Sequence, residues 1–330
     1  MLIKDIGEQG LLTILQKFCP AEIVGDDCAV MATNPNKSLA ITTDMLVDGV
    51  HFSDRTTGPY DAGWRAAAAN LSDLAAMGAT PLGVTVALAV RADTAVLWVE
   101  EFYRGMTACL QEYHAPIVGG DVVRSPVVTV AITAFGEVEC DRTISRSNGR
   151  SGWAIVATGV HGASRAGLEL LLNPEFGQNL EKGDRTCLSL AHQRPKPRLD
   201  VLPVVWEILD SEGVLIAGMD SSDGLADAII QICDSSGVGA KVDRQKIPIP
   251  NILSEIVSTE KALDWALYGG EDFELVLFLP MANAELLVEK IGKGAAIVGI
   301  ATESTDIWLT DSSGIYPDIV LKLDRGFQHF

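Results

Sequence analysis

Val214-Leu215-Ile216-Ala217-Gly218-Met219-Asp220-Ser221-Ser222-Asp223-Gly224 sets an apolar, strand-like run directly against two aspartates and two serines, and an amphipathic stretch, Leu225 to Cys233, opens beside Gly224. A buried-type strand running into a helix is a building unit of α/β architecture. The mouth of such a helix presents free N–H groups and partial positive charge, which suits a phosphate or a carboxylate. There Asp220 and Asp223 can hold a metal, Ser222 can donate its hydroxyl to a phosphate, and Gly224 permits close approach. Simple N-capping by Asp and Ser is the commoner use of the same residues.

An aspartate at the end of an apolar run or at the mouth of a helix recurs in four other stretches: Val24-Gly25-Asp26-Asp27-Cys28, Ile41-Thr42-Thr43-Asp44, Asn70-Leu71-Ser72-Asp73 and Val118-Gly119-Gly120-Asp121. Almost no Lys or Arg lies beside them. Carboxylates gathered at the edge of a core repel one another and lose hydration, so they need a partner. Oxygen-only ligands point to magnesium or a similar hard cation, which shares its remaining positions with water and substrate phosphates. The pattern reads as a phosphate-handling enzyme. Taken singly, Gly119-Gly120-Asp121 also reads as a tight turn, Thr42-Thr43-Asp44 as a strand end and Asp73 as a solvated helix acid.

Working outward, Ser38 to Thr43 and Leu82 to Val90 read as strands, and Asp61 to Met77 as a helix stopped by Gly78, with Asn70 and Asp73 on one face. A long helix follows over about 94–113, with Asp93 or Thr94 as its N-cap. Ala115 to Val118 reads as a short strand and Val127 to Gly136 as another. A turn-rich basic segment holding Arg142, Arg146 and Arg150 precedes a strand at Trp153 to Thr158, which puts a domain boundary near residue 148. Beyond it come helices at Ser164 to Leu172 and Pro197 to Leu209, and a strand at Leu275 to Leu279 after Tyr268-Gly269-Gly270-Glu271-Asp272. The expected organisation is α/β or α+β in two domains, 1–148 and 149–330.

A chain of 330 residues, 48% hydrophobic and 21% charged, has the composition of a globular protein with room for two cores. The net charge of −19 argues against a nucleic-acid surface, which needs clustered Lys and Arg. The six scattered cysteines form no Cys-x-x-Cys pair, so zinc and redox sites are not expected and reduced thiols in a cytoplasmic setting are. Lys4, Asp5 and Glu8 interrupt any signal-peptide core near the start, and no apolar run approaches the ~20 residues that span a bilayer. No P-loop, Gly-x-Gly-x-x-Gly fingerprint or His-Arg-Asp loop occurs, so phosphoryl transfer here would rely on metals. Arg146, flanked by Ser145 and Ser147, has small neighbours that leave its guanidinium open to a phosphate, or is surface charge.

Together these segments resemble the thiamine-monophosphate kinase family, in the superfamily of aminoimidazole ribonucleotide synthetase and selenophosphate synthetase. The likeness rests on Gly25-Asp26-Asp27-Cys28-Ala29, Thr42-Thr43-Asp44 with His51-Phe52, Asn70 to Gly78, Gly119-Gly120-Asp121, Ser145-Arg146-Ser147, Asp220 to Gly224 and Gly269 to Glu274, in order along the whole chain. The resemblance implies an α/β N-terminal domain whose sheet pairs across a homodimer, and an α+β C-terminal domain that closes the active-site cleft. It implies magnesium ligands at Asp27, Thr42, Thr43, Asp44, Asp73, Asp121, Asp220 and Asp223, ATP contacts at Tyr103, Gly120, Asp121, Arg146 and Ser222, and thiamine monophosphate contacts at His51, Glu271 and Phe327. The implied reaction is direct, magnesium-dependent transfer of the ATP γ-phosphate to thiamine monophosphate, with no covalent nucleophile and neither nucleic acid nor membrane as partner. Another small-molecule kinase or synthetase of the superfamily, a metal-dependent phosphatase and a calcium-holding structural protein are the alternatives.

Overall fold

The computed structural model describes residues 1–21, 23, 28–209, 213–292 and 294–323, and the chain divides into two compact units. Unit 1 comprises Met1–Leu74 and Ala79–Glu139; unit 2 comprises Ala75–Gly78 and the chain from Cys140 onward.

Unit 1 runs α1 (Ile3–Leu15), β1 (Lys37–Val47), α2 (Pro59–Ala76), β2 (Thr80–Val90), α3 (Val96–Glu112), β3 (Ile117–Arg124) and β4 (Thr129–Glu139). Its four-stranded sheet has the order β1-β4-β2-β3, antiparallel except for the β2–β3 pair that α3 connects. Strand periodicity sorts the residues onto two faces. Leu46, Val84, Val86, Leu88, Val130, Ile132 and Ala134 are buried, whereas Leu39, Ile41 and Met45 on the other face of β1 are 49%, 60% and 57% exposed. The alanine-rich stretch of α2 keeps that helix narrow, and a Cβ on Gly63 would lie 1.8 Å from the Phe102 carbonyl oxygen, so α2 and α3 cross at backbone contact.

Two expectations for unit 1 change. Helix α3 starts at Val96 with Ala95 as its N-cap and no side-chain cap, while Thr94 bonds through its backbone to Ile3 and Arg91. Gly119-Gly120-Asp121 is not a turn: it lies inside β3, paired in parallel with Thr85, Val86 and Ala87. The register shifts between Val84 and Thr85, and a Cβ on Gly120 would stand 2.1 Å from the Val86 carbonyl oxygen, a place for glycine in a strand.

Unit 2 contains β5 (Ala154–Ala157), α4 (Ala163–Leu172), α5 (Lys182–Gln193), α6 (Leu202–Leu209), β6 (Ala217–Asp220), α7 (Leu225–Ser236), β7 (Gly239–Asp243), α8 (Thr259–Tyr268), β8 (Leu275–Leu279), α9 (Met281–Ile291), β9 (Ala296–Thr302), β10 (Ile307–Thr310) and β11 (Ile319–Val320). They form a seven-stranded sheet, order β11-β10-β7-β9-β5-β8-β6, in which only β7–β10 is parallel. Both faces of its centre are covered. Ile155, Met219, Val276 and Phe278 pack with Ile229, Ile232 and Cys233 of α7, and Val156, Leu275 and Leu277 pack with Val205 and Leu287. Strands buried on both sides read as continuous apolar runs, which is why β8 matches its sequence reading residue for residue. The expected helix from Pro197 is instead a 3₁₀ turn, Arg198–Val201, followed by α6, whose Pro203 sits in the first turn where its missing N–H is harmless. No helix among the described residues is long and apolar enough to cross a membrane, and all six cysteines are free thiols.

Candidate functional site

In unit 1, β1 and α2 bring together part of the expected set. Thr42 and Asp44 share one face of β1. The Thr42 hydroxyl donates to Asp73 Oδ2 at 2.5 Å, and the Asp44 N–H donates to Asn70 Oδ1 at 3.2 Å. Asn70 is fully buried and donates from Nδ2 to the Ala66 carbonyl, so its amide orientation is set by its own helix. Thr43, one residue along the strand, belongs to the opposite face, where its hydroxyl meets the Ile132 carbonyl and Thr133. Thr43 is thus apart from the Thr42, Asp44 and Asp73 side chains. His51 follows the Gly49 turn; its Nδ1 accepts the Val47 N–H at 3.1 Å, which leaves the ring proton on Nε2.

Tyr103 of α3 and Gly120 and Asp121 of β3 line one cavity of about 1060 Å³ with Gln16, Cys19 and Val118. Burial drives the Tyr103 phenol far above its ordinary pKa, so it stays a neutral donor, and its ring packs on Phe18 with centroids 5.5 Å apart. Asp27 lies outside the described residues, as does Phe327.

In unit 2, β6 delivers Asp220, 3% exposed, to the mouth of α7, where the Ser222 hydroxyl donates to Asp220 Oδ1 at 3.1 Å. Gly224 (φ 110°) makes the turn into α7, and a Cβ there would strike the Leu267 carbonyl at 2.6 Å. Arg146 is not unengaged: Nη1 donates to Gln231 Oε1 at 2.7 Å, and Gln231 Nε2 donates to Asp227 Oδ2 at 2.6 Å. Burial raises the Asp227 carboxyl above the usual range; Asp223 raises it further, while Gln231 and Arg146 oppose. Arg146, Asp223 and Asp227 therefore share one electrostatic neighbourhood at the opening turn of α7.

The Gly269–Glu274 loop lies against the same turn. The Glu271 N–H donates to the Ser222 carbonyl at 2.7 Å, and the Ser221 N–H donates to the Glu274 carbonyl at 2.8 Å. Glu271 (φ 61°) and Phe273 (φ 53°) hold left-handed backbone conformations, which cost of order 1–3 kcal/mol each and persist only where the surroundings enforce them. Asp272 does much of the enforcing by accepting N–H bonds from Gly162 and Ser164, at 2.7 and 2.8 Å, at the start of α4. Desolvation lifts its carboxyl to about 7 against those two bonds, with Glu274 and Glu271 adding to the rise. The Glu271 carboxylate stands 3.5 Å from His192 Nδ1. Among the described residues no three His, Cys, Asp or Glu side chains converge on an ion site; the donor sets are mixed, carboxylate with hydroxyl.

Ser221 and Asp272, given no role by the motifs that contain them, and His161, His192 and Gln231, which no motif contains, complete this region. Buried His161 is held neutral, its pKa lowered to about 4 by desolvation. A lowered folded-state value means the unfolded chain takes up the proton first, so this residue's stabilising contribution is present above pH 6.5 and is lost as pH falls toward 4. At about 1.4 kcal/mol per pKa unit, the wild type should lose about 3 kcal/mol relative to His161→Gln between pH 7 and pH 4. Urea unfolding of both proteins at the two pH values measures this; a pH-independent difference would refute it.

The AIR synthase related protein family matches in both halves, its N-terminal domain over residues 25–138 and its C-terminal domain over 151–311. The thiamine-monophosphate kinase of Synechococcus elongatus is 48% identical over 99% of this chain and 98% of its own. Among solved structures, a thiamine-monophosphate kinase of Stenotrophomonas maltophilia superposes with TM-score 0.77 at 30% identity, over 87% of this chain and 89% of that one. AaThiL complexed with AMPPCP and TMP superposes with TM-score 0.73 at 30% identity, over 97% and 98% of the two chains.

Proposed function

The chain belongs to the thiamine-monophosphate kinase family of AIR synthase related proteins, and from that premise we propose that it transfers the ATP γ-phosphate to thiamine monophosphate, giving thiamine diphosphate and ADP. The observation that carries this reading is the opening turn of α7, where Asp220, Ser222 and Asp223 stand at a helix N-terminus beside Arg146, and the Glu271 loop is bonded to the same turn. A phosphomonoester with a second pKa of about 6 is largely a dianion at neutral pH, so the acceptor needs no strong general base. What the reaction needs is positioning and neutralised charge, consistent with a site rich in acids and lacking an activated nucleophile.

The donors Thr42, Asp44, Asp73 and Asp121 in unit 1, and Asp220 and Asp223 in unit 2, are all oxygen, without sulfur or imidazole, and so each group fits magnesium. Bound there, magnesium would neutralise the charge of the two approaching phosphates. Asp27 belongs to the same set, and Thr43 joins it through its backbone carbonyl. Ser222, Gly120 and Arg146 hold ATP phosphates and Tyr103 bounds the nucleotide's cavity, while His51, Glu271 and Phe327 hold thiamine monophosphate. The reading includes a cytoplasmic homodimer, supported by the open apolar face of β1 at Leu39, Ile41 and Met45. Sedimentation of Ile41→Glu should shift toward monomer; an unshifted dimer would remove that face from the interface.

The test is to incubate the protein with magnesium, ATP and thiamine monophosphate and to assay thiamine diphosphate. Phosphate release without transfer would make it a phosphatase. A covalently phosphorylated protein that is competent to complete the reaction would overturn direct transfer.

A further inference from the structure

We propose that His161 is a positioning residue that acts through Ser221 to orient Asp220 and Asp223 toward a divalent cation. This rests on the magnesium reading above and adds to it a residue that no motif contains.

The partners of the two ring nitrogens fix where the His161 proton sits. His161 is completely buried, with Nδ1 3.1 Å from the Gly159 carbonyl oxygen and Nε2 3.1 Å from Ser221 Oγ. A carbonyl only accepts, so Nδ1 carries the proton and Nε2 of the neutral ring must accept from the Ser221 hydroxyl. Ser221 Oγ in turn accepts the Glu274 N–H at 3.2 Å, so the hydroxyl is held by one donated and one accepted bond. Its backbone is tied as well, by its N–H to the Glu274 carbonyl at 2.8 Å and by the Gly224 N–H to its own carbonyl at 3.0 Å.

Ser221 is 1% exposed and touches neither nucleotide nor acceptor in any role assigned above. Its neighbours do the binding: Asp220 before it, then Ser222, whose hydroxyl donates to Asp220 Oδ1, then Asp223. Fixing Ser221 therefore fixes the backbone from which both aspartates project. An apolar side chain would fill the His161 site without the cost of burying an imidazole. What the imidazole supplies instead is one acceptor at one point, its direction set by the Gly159 bond. Partners bonded directly to metal ligands typically change affinity by about 10–100-fold when removed; His161 and Ser221 act through the backbone, so the lower end of that range is the expectation.

The experiment measures Mn2+ binding to the full chain by electron paramagnetic resonance, with wild type, Ser221→Ala, His161→Leu and His161→Gln. Ser221→Ala and His161→Leu should each weaken Mn2+ binding by about tenfold. The double variant should be no weaker than the worse single one, because both remove the same bond. His161→Gln, whose amide oxygen can replace the acceptor, should recover most of the affinity. In turnover assays the magnesium needed for half-maximal rate should rise by the same factor while KM for thiamine monophosphate stays constant. Wild-type Mn2+ affinity in Ser221→Ala overturns the proposal even if His161→Leu fails to fold; so does equal loss in the Gln and Leu variants. A wild type that binds Mn2+ but forms no thiamine diphosphate overturns the assigned reaction, while weakened binding in the variants would still support the positioning role.

Discussion

Asp223→Asn and Asp44→Asn should each lower thiamine diphosphate formation by at least about a hundredfold, a loss of about 2.7 kcal/mol of transition-state stabilisation, while leaving the fold intact. The substitution keeps the shape and removes the charge. Asp223 is exposed beside Gly224, and its charge raises the carboxyl of Asp227. Asp44 engages Asn70 through its backbone N–H, which the variant retains. Because Asn matches Asp in size, stability should move by no more than about 1 kcal/mol. The kinetic signature separates a metal ligand from a substrate contact: excess magnesium should partly restore Asp223→Asn, whereas excess thiamine monophosphate should not. Circular dichroism and thermal unfolding establish the intact fold, and near-normal turnover in both variants would remove these aspartates from the site.

How much of this was legible in the sequence depends on whether the cause is local. β8 is a run of five apolar residues buried on both faces, so composition alone locates it. The mouth of α7 was equally legible, because strand, acid, glycine and amphipathic helix follow one another without a break. Gly119-Gly120-Asp121 was misread as a turn, since what keeps it extended is pairing with Val86, more than thirty positions away. Arg146 looked unengaged because its partner, Gln231, lies 85 residues on. His161 lies 60 residues before Ser221, and although Ser221 falls within the Asp220–Gly224 motif, nothing in the sequence ties the two together. Thr43 illustrates a further limit: adjacent hydroxyls in a strand point to opposite faces, so a Thr-Thr-Asp motif cannot present all three side chains to one ion.

Arg198→Met should destabilise unit 2 by about 3–5 kcal/mol, the usual result of stripping one partner from a buried ion pair. Arg198 and Glu274 have side chains only 14% and 15% exposed, and Arg198 Nη1 donates both to Glu274 Oε2 and to the Thr158 carbonyl at 2.9 Å. Burial already pushes the Glu274 carboxyl upward, and Arg198 is the leading influence opposing that rise. Without the guanidinium, folded Glu274 titrates well above its unfolded value. A raised acid binds its proton more tightly in the fold than in the unfolded chain, so the variant loses stability as pH rises through that interval. The deficit against wild type should accordingly be larger at pH 8 than at pH 5. Glu274→Gln in the Arg198→Met background should recover part of it, because the amide can be buried neutral while still accepting from Thr158. The consequence reaches the site, since the Glu274 backbone holds Ser221 from both sides. Arg198→Met should then also raise the magnesium requirement, and Glu274→Gln should lower it again in step with stability. Urea titrations at the two pH values decide the matter: a deficit under about 1 kcal/mol, or one that does not change with pH, would mean that Glu274 reaches solvent or another cation and that the pair does not brace the loop.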